Sequence, residues 1–135
     1  MEPLVLSKRE FSMTVEKILL VEDSKTEAMI ITKILENAGF KVKNATNAQQ
    51  AMECLRSYKP DLLLMDVVMP GQSGFQLTRN LLKDPQFSMI PIIFCSSKNL
   101  ETDKLWGLRQ GAKDYVTKPV VADVLLATIL RVGAA

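Results

Sequence analysis

The sequence predicts an α/β protein in which five short strands alternate with five helices. Two observations carry that reading. The runs KILLV (17–21), LLLM (62–65) and PIIFC (91–95) have the unbroken hydrophobicity of strands buried on both faces, as in parallel sheets. Between the strands lie segments whose apolar residues recur at helical spacing. Close alternation of this kind implies right-handed crossovers and one parallel sheet covered on both sides.

The 135 residues suit one domain with a sizeable core, and 47% apolar with 24% charged residues is the composition of an ordinary globular protein. A net charge of +2 without a dense basic run argues against a nucleic-acid partner. No apolar run approaches the length of a membrane span, and no N-terminal apolar region precedes a cleavage site. A cytoplasmic protein without membrane insertion is therefore expected. The chain contains no histidine, which excludes a histidine nucleophile, base or metal ligand. Cys54 and Cys95 fall in a predicted helix and strand and are expected as buried free thiols.

Taken in order, residues 1–16 show no periodicity and read as an N-terminal extension, with two readings open: Met13 as the start of a shorter form, or a short native tail with no role. Residues 17–133 form the predicted domain. The first strand ends at the adjacent carboxylates Glu22 and Asp23. Ser24 to Glu27 matches a capping box, with Ser24 as N-cap and Glu27 reaching back to it. Ala28, Ile31, Ile34, Leu35 and Ala38 then mark a helix stripe, ended by Gly39 in a left-handed conformation. Residues 40–45 alternate as an outer strand. Thr46 to Gln49 repeats the capping-box pattern, and Ala48, Met52 and Leu55 face inward on a helix that must stop before Pro60.

The central strand at 62–65 runs into Asp66, and Pro70, Gly71 and Gly74 force a loop. Residues 75–83 read as a third helix, with Leu77 and either Leu81 or Leu82 inward. Asp84 and Pro85 break it. After the fourth strand, residues 100–109 read as a helix weakened by Gly107, which costs about 1 kcal/mol relative to Ala; its Trp106 can face solvent or pack inward. Gly111 closes this helix, residues 114–117 form the fifth strand, and 121–132 form the last helix with Val121, Val124, Leu125, Thr128 and Ile129 inward.

Every chemically interesting group thus lies at or just beyond the C-terminal end of a strand: Glu22 and Asp23, then Asp66, Ser96 and Lys118. In open parallel sheets ligands bind beyond that edge. Three converging carboxylates repel one another unless a cation intervenes, and an all-oxygen donor set without His or thiolate favours a hard ion such as Mg²⁺. Lys118 adds a fixed positive charge and Ser96 a hydroxyl. Such a set can hold the oxygens of a phosphoryl group carried on Asp66, since a carboxylate is an accepted phosphoryl nucleophile. Each residue alone has a plainer reading: Glu22 and Asp23 as helix-dipole partners, Asp66 as a turn cap, Ser96 as a turn serine, Lys118 as a surface lysine. Their joint placement is what is specific.

Four motifs, V-E-D-S (21–24), L-M-D-V-V-M-P-G-Q-S-G (64–74), P-I-I-F-C-S-S (91–97) and G-A-K-D-Y-V-T-K-P (111–119), make the chain resemble the receiver domains of two-component response regulators over residues 17–132. The resemblance implies a doubly wound, flavodoxin-like sheet in strand order 2-1-3-4-5. It implies that Asp66 accepts phosphate from a phosphohistidine on a CheA-like histidine kinase. Asp23 and Asp66 would bind Mg²⁺ with the Val68 backbone carbonyl, and Glu22 would act directly or through water. Ser96 and Lys118 would contact the phosphoryl group, Ser96 and Tyr115 would form the switch, and the Lys118–Pro119 bond would be cis. The output face implied for a downstream target comprises Lys98, Lys104, Leu108, Lys113 and Tyr115. Val68 and Lys98 occupy the two positions that orient a hydrolytic water in the family. Because the resemblance runs to residue 132, a stand-alone receiver without an output domain is expected, monomeric or weakly dimeric. The stretches 98–112 and 23–27 resemble the stand-alone receivers of type IV pilus chemosensory systems, which govern twitching motility.

Two other functions compete. An aspartyl phosphatase on a similar sheet needs a second acid two residues past its nucleophile, where Val68 cannot donate a proton; the chain is therefore expected not to be an enzyme beyond self-phosphotransfer and slow self-dephosphorylation. A pseudo-receiver that binds partners without taking phosphate is opposed by the intact Asp23, Asp66, Ser96 and Lys118.

Overall fold

The computed structural model describes residues 15–134; most of the N-terminal extension, including Met13, lies outside them. The elements are β1 (Lys17–Val21), α1 (Lys25–Asn37), β2 (Lys41–Ala45), α2 (Ala48–Ser57), β3 (Leu62–Met65), α3 (Gly74–Leu82), β4 (Ile92–Ser96), α4 (Glu101–Arg109), β5 (Asp114–Thr117) and α5 (Ala122–Ala134). The strands form one parallel sheet in the order β2-β1-β3-β4-β5, as the family resemblance implies.

Side chains alternate across a strand, so each buried strand feeds two cores. Ile18, Leu20, Leu62, Leu64, Ile93 and Val116 pack with Ala28, Ile31 and Leu35 of α1 and Leu125 and Ile129 of α5. Leu19, Val21, Leu63, Met65, Ile92 and Phe94 pack with residues of α2 and α3 on the other face. This two-sided burial explains the uninterrupted apolar runs. β2 is one of the two edge strands, and its Lys41, Lys43 and Asn44 are exposed, which discourages further strand pairing. Val15 is buried in the α1 side of the core, and the N–H groups of Glu16 and Lys17 both donate to Asp61 at 2.9 Å. The packed unit thus includes Val15.

Several local expectations change. α2 is capped by Asn47, whose side chain accepts from the Gln50 N–H, while Gln50 accepts from Thr46 N–H and Oγ1 at 2.8 Å. The cap falls one residue later than Thr46, because Asn satisfies the first-turn N–H as well as Thr, and Gln50 reaches back to Thr46 rather than to the N–H of the cap residue itself. In the last helix Leu125, Thr128 and Ile129 face in, but Val121 and Val124 are more than half exposed. Residues 121–124 are all exposed, so the helix reaches the sheet only from its second turn. Leu81, not Leu82, is the inward residue of α3. Gly39 has φ +97° and ends α1 as expected. Cys54 and Cys95 are buried free thiols. Among the described residues no helix is long and apolar enough to cross a membrane.

Gly107 proves to be a packing residue. A Cβ there would lie 3.0 Å from Tyr115 Cδ2 and 3.1 Å from Phe94 Cδ2. Only the missing side chain lets α4 lie this close to β4 and β5. Helix propensity alone would favour alanine by about 1 kcal/mol, whereas forcing a methyl into a packed core costs about 1–3 kcal/mol. Gly107→Ala is therefore expected to destabilise the domain by about 1 kcal/mol in denaturant unfolding; a gain in stability would mean that α4 yields freely.

Candidate functional site

Parallel register carries the acidic residues to one level. Val21 pairs with Met65 and Met65 with Phe94, so Glu22 and Asp66 emerge side by side. The ladder continues past them: Asp66 N–H donates to the Val21 carbonyl at 3.0 Å and Glu22 N–H to the Ala45 carbonyl at 2.9 Å. β4 extends two residues beyond Phe94 to Ser96, which pairs with Thr117; Lys118 follows, its N–H donating to the Ser96 carbonyl at 2.9 Å. The Lys118–Pro119 peptide is cis. After Asp66 the chain must turn under itself. Gly74 N–H donates to the Val67 carbonyl at 2.8 Å, and a Cβ on Gly74 would collide with the Asp66 carbonyl. α3 therefore starts against the backbone of Asp66 because residue 74 is glycine.

At the centre is the ammonium of Lys118. It donates to Asp66 Oδ2 at 2.8 Å, to Glu27 Oε2 at 2.7 Å, and to Glu22 Oε1. An ammonium has three N–H donors, and all three are engaged. Burial opposes the charged form of Lys118, but the hydrogen bonds it donates to Asp66, Glu22 and Glu27 outweigh that cost and raise its pKa. Glu22 is almost fully buried, with Oε2 accepting from the Ser24 N–H at 3.1 Å. Burial pushes its carboxyl above the ordinary range, partly offset by the bonds from Lys118 and Ser24. Asp66 is also buried, and its Oδ1 accepts from the Val68 N–H at 3.1 Å. The Val68 side chain is exposed at the mouth of the site.

Glu22, Asp23 and Asp66 each present a carboxylate oxygen, and these atoms lie within 4.8 Å of one another. With Glu27 they leave the site negative despite Lys118. The donor set is oxygen throughout, since burial pushes the nearby Cys95 thiol up to about 12 and keeps it protonated. A hard divalent cation such as Mg²⁺ fits these residues.

Ser96 is fully buried, its Oγ accepting from the Lys98 N–H at 3.3 Å. Tyr115 lies beneath the expected output face, its ring against Phe94 and Gly107 and its hydroxyl donating to the Lys98 carbonyl at 2.6 Å. Burial raises its pKa. Lys98, Leu108 and Lys113 are exposed, and Lys104 pairs with Glu101 at 3.5 Å. Leu105 and Trp106 of α4 are half exposed and extend that face.

The sequence reading missed Glu27 as part of the site. Ser24 Oγ accepts from the Glu27 N–H at 3.3 Å, so half of the capping box forms. The other half does not, because the Glu27 carboxylate binds Lys118 and the Ser24 N–H is taken by Glu22. Asn44 was missed as well: its amide donates to the Leu20, Glu22 and Ala45 carbonyls and braces the end of β1. Neither role has a signature in the local pattern.

Comparison with known proteins agrees with this geometry. The family model described as response regulator receiver domain matches residues 18–130. Protein PilH of Pseudomonas aeruginosa is 51% identical over 118 residues, covering 87% of this chain and 98% of that protein. The chemotaxis response regulator CheY4 of Vibrio cholerae superposes with a TM-score of 0.80 at 28% identity, covering 88% of this chain and 99% of that one. The receiver domain of the sensor histidine kinase PA1611 of Pseudomonas aeruginosa, whose structure has a magnesium ion coordinated in the active-site cleft, gives a TM-score of 0.81 at 27% identity, covering 90% and 99%.

The raised pKa of Glu22 gives a pH dependence with a definite sign. The folded state holds this proton more tightly than the unfolded chain, so the group favours folding at low pH and that contribution is lost as pH rises through the folded pKa. Lys118, raised from an already high value, changes charge only at strongly alkaline pH. Without metal, Glu22 is expected to raise the melting temperature as pH is lowered through its folded pKa, and Glu22→Gln is expected to remove that part of the pH dependence. An unchanged slope in Glu22→Gln would show that another group sets it.

Proposed function

This chain belongs to the response regulator receiver domain family, and we propose that it is a single-domain response regulator that accepts a phosphoryl group on Asp66 and switches a protein-binding face. The observation that carries this reading is the Lys118 ammonium held 2.8 Å from Asp66 beside the acidic cluster. In the proposed step an Asp66 carboxylate oxygen forms a bond to the phosphorus of a phosphohistidine on a CheA-like kinase. The phosphorus–nitrogen bond breaks, and its electron pair returns to the donor imidazole. Lys118 and the Ser96 hydroxyl bind the phosphoryl oxygens, where preorganised charge favours the transfer. Mg²⁺ held by Glu22, Asp23, Asp66 and the Val68 carbonyl would neutralise charge on those oxygens. The protein is not otherwise an enzyme.

The switch is assigned to Ser96 and Tyr115. Drawing Ser96 towards a phosphoryl group alters the backbone at Lys98, which both Ser96 Oγ and the Tyr115 hydroxyl engage. The surface above them, with Lys98, Lys104, Leu108 and Lys113, then discriminates two states for a downstream protein. The likeness to PilH over nearly the whole of both chains supports a place in pilus-related, twitching-motility signalling; we place the protein in the cytoplasm, as a monomer or weak dimer without nucleic acid.

Incubation with Mg²⁺ and acetyl phosphate, read by intact mass, tests the reading. Wild type should gain one phosphoryl mass and Asp66→Asn none. Asp66→Asn should melt, without metal, at the same temperature as wild type or higher, because it removes one carboxylate from a crowded group. No added mass on wild type would favour the pseudo-receiver.

The phosphorylated form should be long-lived. An in-line water needs polar side chains to orient it. Val68 offers none, and Lys98, which makes no ion pair among the described residues, is a donor only. Val68→Asn with Lys98→Glu should shorten the lifetime, whereas a wild type that decays as fast as the double variant would refute this account.

A further inference from the structure

We propose that Glu27 is a positioning residue, which holds the Lys118 ammonium while Asp66 is unmodified and releases it when Asp66 carries a phosphoryl group. The inference rests on the reading of Asp66 as phosphoacceptor and deepens it. All three Lys118 N–H donors are engaged by Glu22, Glu27 and Asp66. A phosphoryl oxygen can therefore bind Lys118 only by displacing a carboxylate.

Burial decides which one leaves. Glu22 is 1% exposed and its Oε2 is held by the Ser24 N–H at 3.1 Å, so its carboxylate has no route from the site to water. Asp66 is the modified residue itself and stays beside the ammonium. The Glu27 side chain is 43% exposed, so water can replace Lys118 at little cost. The ion pair also borders a groove of about 230 Å³ lined by Glu27, Ile30, Ile31, Lys118, Pro119 and Val120, which gives the carboxylate a route to solvent. Glu27 lies in the first turn of α1, and its release leaves the carboxylate within reach of the Ser24 end of that helix. Glu27 thereby favours the unmodified state.

Beryllofluoride with Mg²⁺, a phosphoryl analogue bound at equilibrium, reads this directly. Glu27→Gln and Glu27→Ala should bind it roughly two- to fivefold more tightly than wild type, as expected for removal of one partly exposed ion pair. Glu36→Gln, which removes an exposed charge at the other end of α1, should bind it as wild type does. In wild type the side-chain carboxyl ¹³C shift of Glu27 should move to that of a solvated glutamate on beryllofluoride addition. Equal affinity in wild type and both Glu27 variants, an equal gain in Glu36→Gln, or an unmoved Glu27 shift would each overturn the proposal. If wild type gains no phosphoryl mass from acetyl phosphate, the phosphoacceptor reading fails and the handover falls with it; that result appears in wild type alone and is distinct from failure of the Glu27 variants.

Discussion

The carboxylates of Glu22, Glu27 and Asp66 meet on the single ammonium of Lys118, an arrangement that electrostatics alone would disperse. Like charges this close raise one another's energy, and burial adds a desolvation cost for Glu22 and Asp66. The protein tolerates this because the groups hang from strand ends fixed by ladder hydrogen bonds and by two apolar cores. Glu22 and Asp66 each have their backbone N–H tied into the sheet, as does Lys118. None can drift away without breaking a strand end.

The remaining architecture serves that edge. The inner strands β1, β3 and β4 are short and apolar, so helices cover them on both faces and their ends carry the polar groups. Gly74 brings α3 against the Asp66 backbone, and Gly107 brings α4 against Tyr115 and Phe94. Both glycines bring their helices against the same Phe94 ring, which lies between the acceptor's backbone and the Tyr115 ring. The backbone of Lys98 connects Ser96 and Tyr115, its N–H donating to the first and its carbonyl accepting from the second. A displacement of Ser96 therefore has a short physical route to the exposed surface of α4, where Leu105, Trp106 and Leu108 face solvent.

The comparison of sequence with structure separates two kinds of information. Strand positions were legible because burial on both faces demands continuous hydrophobicity, and the site residues because each follows such a run. Helix caps were less legible: Asn47 displaced Thr46, since several polar residues in succession can satisfy the same N–H groups. Val121 and Val124 continue an apolar stripe in sequence but lie beyond the sheet in space. Gly107 looked like a weak point in a helix because propensity describes an isolated helix, whereas its neighbours come from β4 and β5.

The sequence by itself determined the five strands, the acidic edge and the candidate roles of Asp23, Asp66, Ser96 and Lys118. These follow from short-range pattern and from motifs within single segments. The tertiary structure alone decided that Glu27 turns from its own helix cap to Lys118, 91 residues away in the chain. It also decided that Tyr115 lies under its face rather than on it. Both choices depend on which charged or apolar group packing brings near, and a carboxylate beside a buried ammonium gains more there than from a backbone N–H at an exposed helix end.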